Sequence, residues 1–166
     1  MRSASPRLMG GMVGLIGLAA LTVAFASERL GGLVPCALCL VERWPWRIAI
    51  LLGVLVGLLP PRPARLALAL LPPLMLASVA LGVVHVGVEQ KAWPSPLPEC
   101  AAPHLAAGSP ADRLRAMPDR PSKPCDDPTY LIPAIPVSMA AGNLILSLLL
   151  GGGITIYLLR HDGSRR

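Results

Sequence analysis

Three stretches of this chain, residues 8–27, 66–88 and 134–159, contain no Asp, Glu, Lys or Arg. A bilayer interior offers no water to backbone N–H and C=O groups, so an uncharged run of about twenty residues, about 30 Å as a helix, reads as a membrane span. A fourth span has to be assembled. Residues 48–59 are free of charge but supply only about 18 Å of helix at the standard rise. That helix is therefore expected to begin near residue 40, with Glu42, Arg43 and Arg47 in its outer turns. Trp44 and Trp46 suit the interfacial depth, and Pro45 costs least close to a helix start. The expected fold is an all-α integral membrane protein. It is a four-transmembrane-helix bundle in one domain, 1–166, with spans at about 8–27, 40–59, 66–88 and 134–159 and non-cytoplasmic loops at about 28–39 and 89–133. A chain 54% hydrophobic and 14% charged is too apolar for an ordinary soluble domain. The net charge of +6 is scattered at the ends of apolar segments with few aromatics, which argues against nucleic acid as a partner.

Arg2 and Arg7, with Ala24-Phe25-Ala26, would also suit a cleaved signal peptide. The run is longer than such a segment needs, and Gly10, Gly14 and Gly17 give it a small-residue face for a neighbouring helix. Residues 60–65 read as a tight basic turn that makes the second and third spans antiparallel neighbours, and Pro72 and Pro73 are expected to kink the third. Eleven prolines between Pro94 and Pro136 leave no room for a long helix before the fourth. Ser138, Asn143 and Ser147 are expected to hydrogen-bond between helices, and residues 151–153, all glycine, to allow close approach or a bend. Lys and Arg divide seven to eight between the two sides, which does not orient the chain. The density of basic residues at the tails and helix ends, and cysteines in two pairs, place the termini in the cytoplasm and the cysteines in an oxidising compartment.

The chemistry concentrates in Pro35-Cys36-Ala37-Leu38-Cys39, followed by Glu42-Arg43. Two cysteines at this spacing close a small disulfide, and a nearby helix N-terminus favours the thiolate. Arg43 stands one turn beyond Cys39 on the same face. Cys100 and Cys125 form the second pair; a disulfide between them would close a loop worth about 3 to 4 kcal/mol by chain entropy. In a proline-rich loop with little structure to staple, such a bond reads as a mobile arm offered to an incoming thiolate. His85, at the depth of Cys39 inside an apolar helix, is a functional candidate, with a packing histidine as the alternative. Arg47 is expected to snorkel, Glu28 is a weaker candidate, and Glu42 is expected to pair with an arginine.

Four spans, Pro35-Cys36-Ala37-Leu38-Cys39 with Glu42-Arg43, Trp93-Pro94-Ser95-Pro96 ahead of Cys100, and Cys125 before the last span fall in one order. In that order the chain resembles the DsbB family of disulfide bond formation proteins. The resemblance implies a multi-pass protein of the bacterial inner membrane with periplasmic cysteine loops. It implies that a reduced DsbA-type thioredoxin-fold oxidase attacks a Cys100–Cys125 disulfide, chiefly at Cys100. Exchange then passes the electrons to Cys36 and Cys39, by way of a transient Cys36–Cys125 bridge, and Cys39 delivers them to a membrane quinone, ubiquinone or menaquinone. It further implies quinone contacts for Arg43 and His85, and no metal. Two other readings compete. A vitamin K epoxide reductase-like enzyme is expected to carry its active pair late in a four-helix core, and a metal-binding protein would draw on the four cysteines with His104 as the nearby nitrogen ligand.

Overall fold

The computed structural model describes residues 5–100, 109–115, 123–132 and 134–163; His104 lies outside them. The chain forms α1 (Pro6–Arg29), α2 (Ala37–Leu58), α3 (Pro61–Leu68), α4 (Leu71–Glu89), a single 3₁₀ turn at Pro98–Cys100, the short α5 (Pro110–Arg115) and α6 (Met139–Gly163). Among the described residues there is no strand beyond one isolated bridge between Tyr130 and Ser138. Three helical stretches, Pro6–Arg29, Pro61–Glu89 and Met139–Arg160, are long and apolar enough to cross a membrane. The protein is an all-helical membrane protein. Helix α2 has the length, at 22 residues, but carries Glu42, Arg43 and Arg47 in its first half.

Small residues decide how α1 meets α2. Gly10 faces Val56 and Gly53, Gly14 faces Gly53, and Gly17 faces Ile50 and Trp46. A methyl group at Gly53 would stand 2.7 Å from the Gly10 carbonyl oxygen and 2.8 Å from the Gly14 Cα, contacts with backbone that cannot swing aside. Gly53→Val is therefore expected to force the helices apart, at a cost of about 1–3 kcal/mol. Thermal unfolding in detergent checks this, with Gly57→Val, where the added side chain meets open space, as the control.

The segment after α2 differs from the expected turn. Residues 61–68 are helical because Pro61 sits at the first helical position, where its fixed φ suits the helix and its missing N–H costs nothing. The buried face of α3, Ala64, Ala67 and Leu68, joins the core with Val56, Leu71 and Met75. Pro72 and Pro73 do not kink a continuous helix either. The chain breaks at residues 69–70 and the prolines occupy the first turn of α4, the one place where absent N–H groups break no helical bond. Helix α6 begins at Met139 and not at 134, since Pro136 holds the preceding residue extended and Ser138 then accepts from the Ala141 N–H.

Polar pairs lock the remaining helices. The Ser78 and Ser147 hydroxyls meet at 2.8 Å between α4 and α6, where Gly82 accommodates Leu144 and Gly151 accommodates Met75. Trp46 Nε1 donates to Asn143 Oδ1 at 2.6 Å between α2 and α6, and Ser138 Oγ donates to Glu89 Oε2 at 2.5 Å across to the end of α4. Trp46 is thus a buried helix-to-helix link and not an interfacial anchor, whereas Trp44 is exposed beneath the Arg47 guanidinium, 4.9 Å from the ring centre. Beyond α4, the Trp93 indole lies over Gly87 and its Nε1 donates to the Val84 carbonyl at 3.1 Å, which fixes where the long loop departs.

Candidate functional site

Helix α2 starts three residues earlier than expected, and this changes which sulfur stands at its tip. Cys36 is the N-cap residue, with extended backbone, and its Sγ accepts the Cys39 N–H at 3.1 Å. A sulfur here takes the place of the usual capping oxygen. Hydrogen bonding from Cys39, through its side chain and its N–H, holds the Cys36 thiol below the usual cysteine range, against the opposing effect of burial. Cys39 lies in the first turn, with Glu42 and Arg43 one turn further on.

Cys36 and Cys39 are free thiols, and Cys100 and Cys125 are joined in a disulfide. Cys125 N–H donates to the Cys100 carbonyl at 3.2 Å. The disulfide is not held out in a free arm: Cys100 and Cys125 pack with Cys36, Leu38 and Val88 in one buried apolar cluster. Burial follows from the loop's anchoring at Trp93 and from the apolar surface that the α2 tip and the end of α4 leave between them. With Cys100 and Cys125 joined, a four-cysteine metal site loses half of its ligands.

His85 comes from α4 and is 2% exposed. Its Nε2 lies 3.4 Å from Cys36 Sγ and its Nδ1 lies 3.1 Å from Glu42 Oε1. The second contact is within ion-pair distance but off the line of a hydrogen bond, and neither atom has another hydrogen-bond partner among the described residues. Among the described residues the ion-pair contact of Glu42 is with His85 and not with an arginine. The arginine's partner is Glu28, at the end of α1: both terminal nitrogens of Arg43 reach that carboxylate, Nη1 at 3.3 Å from Oε2, and the guanidinium lies 5.0 Å from the centre of the Phe25 ring. Arg43 is buried by this double engagement.

Beside Cys39 opens a cavity of about 590 Å³. Its walls come from α1 (Ile16, Ala20, Ala24), α2 (Cys39, Glu42, Arg43, Trp46), α6 (Asn143, Leu146) and the segment before α6 (Leu131, Ile132, Ile135, Val137). Apolar walls with a few convergent polar groups, at this volume, describe a small-molecule site. Of the four cysteines only Cys39 lines it; His85 does not. Asn143 was legible in the sequence as an interhelical group, but its orientation was not. Trp46 engages Oδ1, and the buried Nδ2 has no hydrogen-bond partner among the described residues, in a residue that lines the cavity. The apolar segment before α6 was missed as a wall. The one signal for it is the run of Leu131, Ile132, Ile135 and Val137 beside prolines that bar a helix.

Residues 6–157 match the protein family described as "Disulfide bond formation protein DsbB". Searches among curated proteins and among solved structures return no match.

Proposed function

Because the chain belongs to the DsbB family of disulfide bond formation proteins, a family of disulfide oxidoreductases, we propose that it is a thiol:quinone oxidoreductase of a bacterial inner membrane. It reoxidises a periplasmic DsbA-type thioredoxin-fold oxidase and passes the electrons to ubiquinone or menaquinone. In this reading α2 is the fourth span, the termini are cytoplasmic and both cysteine loops face the periplasm. Its three charged side chains fit that role because each is engaged: Glu42 by His85, Arg43 by Glu28, Arg47 by Trp44.

One observation carries the reading. The Cys36/Cys39 pair has two faces, with Cys36 packed against the Cys100–Cys125 disulfide and Cys39 on the wall of an apolar cavity. The partner's thiolate attacks Cys100 and leaves oxidised. The released loop dithiol reduces Cys36–Cys39 by exchange, and the loop disulfide re-forms. A chain with Cys100 and Cys125 joined and Cys36 and Cys39 free stands one step before electrons leave through Cys39.

The cavity residues fit a quinone, a flat apolar ring with two carbonyl acceptors. The walls are mostly apolar, Asn143 Nδ2 is a donor in want of an acceptor, and the Arg43 guanidinium favours negative charge on an oxygen near Cys39. A bound quinone supplies the two-electron acceptor; this chain holds it, excludes water and presents the sulfur.

The test mixes the purified protein with a reduced DsbA-type oxidase and a soluble quinone and follows quinone absorbance against dithiol loss. Equal consumption of the two is expected; dithiol loss without quinone loss overturns the reading. Asn143→Asp keeps the oxygen that Trp46 needs but replaces the donor by an acceptor. KM for quinone is expected to rise about tenfold, the worth of one hydrogen bond, with kcat changing less.

A further inference from the structure

Closing the Cys36–Cys39 disulfide releases two electrons and two protons, and a quinone taken to quinol accepts both. The two protons start from different places. Cys39 lines the cavity, so its proton is released at the wall. Cys36 does not line it; the residue is 1% exposed and packed in one cluster with Leu38, Val88 and the Cys100–Cys125 disulfide. A proton leaving Cys36 therefore needs a carrier.

His85 and Glu42 stand in series between Cys36 and the cavity, the second contact at ion-pair distance but needing a small turn of the side chains to align as a hydrogen bond. His85 Nε2 is 3.4 Å from Cys36 Sγ, His85 Nδ1 is 3.1 Å from Glu42 Oε1, and Glu42 is itself a wall residue of the cavity beside Cys39 and Arg43. We propose that Cys36, His85 and Glu42 form a proton path through which the Cys36 proton reaches the quinone cavity. This proposal rests on the quinone reading of that cavity.

The S–H bond of Cys36 breaks as its proton passes to Nε2, and the ring gives up the proton on Nδ1 to the Glu42 carboxylate. The Cys36 thiolate closes on Cys39 as the electron pair leaves through that sulfur, and the Glu42 carboxylic acid delivers its proton into the cavity. Two thiols become one disulfide, and two electrons and two protons arrive at one acceptor. His85 thus serves the sulfur facing the loop and not the quinone directly, in contrast to the quinone contact expected from the resemblance.

The surroundings of the ring suit a carrier. From α2 it faces Cys36, Cys39 and Glu42, whose donor atoms crowd it. On its own helix Glu89 stands one turn on, drawn toward α6 by Ser138, and Lys123 of the loop acts on both Cys36 and Glu89. The other cation near Cys39, Arg43, is committed to Glu28. Among the described residues no other acid both lines the cavity and touches His85.

The test uses two variants that hold the buried volume, His85→Gln and Glu42→Gln, with Glu42→Asp as the conservative change. The first readout needs no quinone. In protein carrying Cys36 as its single cysteine, the alkylation rate of Cys36 is followed against pH. His85→Gln is expected to move that profile to higher pH and slow alkylation at neutral pH about tenfold. Glu42→Gln is expected to leave the profile in place or move it lower, because it removes a negative charge facing the thiolate.

The second readout is single-turnover quinol formation in the full chain. Both Gln variants are expected to slow it about 10²-fold, with a solvent isotope effect and partial restoration by small weak acids in Glu42→Gln. Glu42→Asp is expected to retain most of the rate. An unmoved alkylation profile in His85→Gln, or wild-type quinol formation in Glu42→Gln, overturns the path. If the wild-type protein reduces no quinone while His85→Gln still shifts the profile, the failure lies with the quinone reading and the Cys36–His85 link stands.

Discussion

Cys39→Ser is expected to cut steady-state quinone reduction by about 10³-fold or more, the scale on which enzymes lose rate when the reacting nucleophile is removed. Cys36, Cys100 and Cys125 share one buried cluster, whereas Cys39 alone among the cysteines reaches the cavity wall. A serine hydroxyl can neither close a disulfide with Cys36 nor hand an electron pair to an acceptor. Thiol exchange on the other face needs only Cys36, Cys100 and Cys125, all still present. The variant should therefore oxidise at most about one equivalent of partner dithiol per chain and then stop. Once that equivalent is spent, Cys36, Cys100 and Cys125 are all thiols with no acceptor within reach, so the Cys100–Cys125 disulfide should open and fail to re-form, visible as a mobility change on non-reducing gels after thiol alkylation. Continued turnover in this variant would mean that electrons leave by a route other than the sulfur on the cavity wall.

The apolar runs were legible because spanning a bilayer is a requirement on length and charge, which a sequence displays directly. Which face of each helix meets which neighbour is not displayed, and the corrections at Trp46 and Glu42 belong to that class. Trp44 and Trp46 are two residues apart and look alike as interfacial aromatics; only the position of α6 makes one a buried donor to Asn143 and leaves the other exposed. Glu42 and Arg43 look like a natural pair, yet adjacent residues point to different sides of a helix, so one meets His85 of α4 and the other Glu28 of α1. The Cys-x-x-Cys motif announced redox chemistry but not its division of labour. That follows from the helix beginning at Ala37, which sets Cys36 at the tip under the loop and Cys39 a turn inside. The double proline reads as a kink in a continuous helix, whereas it occupies a first helical turn, which accommodates it without lost hydrogen bonds.

Arg43→Met is expected to lower quinone turnover about 10²-fold, the usual loss on removing one preorganised group that stabilises developing negative charge. It is also expected to destabilise the protein, since the Glu28 carboxylate loses its cation. That cost should fall below the roughly 3–5 kcal/mol of a fully buried pair, because the Glu28 side chain is 21% exposed and can recover some water. The two effects have different origins and a second substitution separates them. Glu28→Gln removes the stranded charge, so Glu28→Gln/Arg43→Met should regain most of the lost thermal stability while quinone turnover stays low. Glu28→Gln alone leaves Arg43 beside Cys39 without its anion; its charge is then fully available to the cavity, and KM for quinone should hold or fall. Recovery of turnover together with stability in the double variant would make Arg43 a strut between α1 and α2 and nothing more. Arg43→Lys is not a neutral control, because one ammonium cannot reproduce the two nitrogens that reach Glu28 or the planar contact over Phe25.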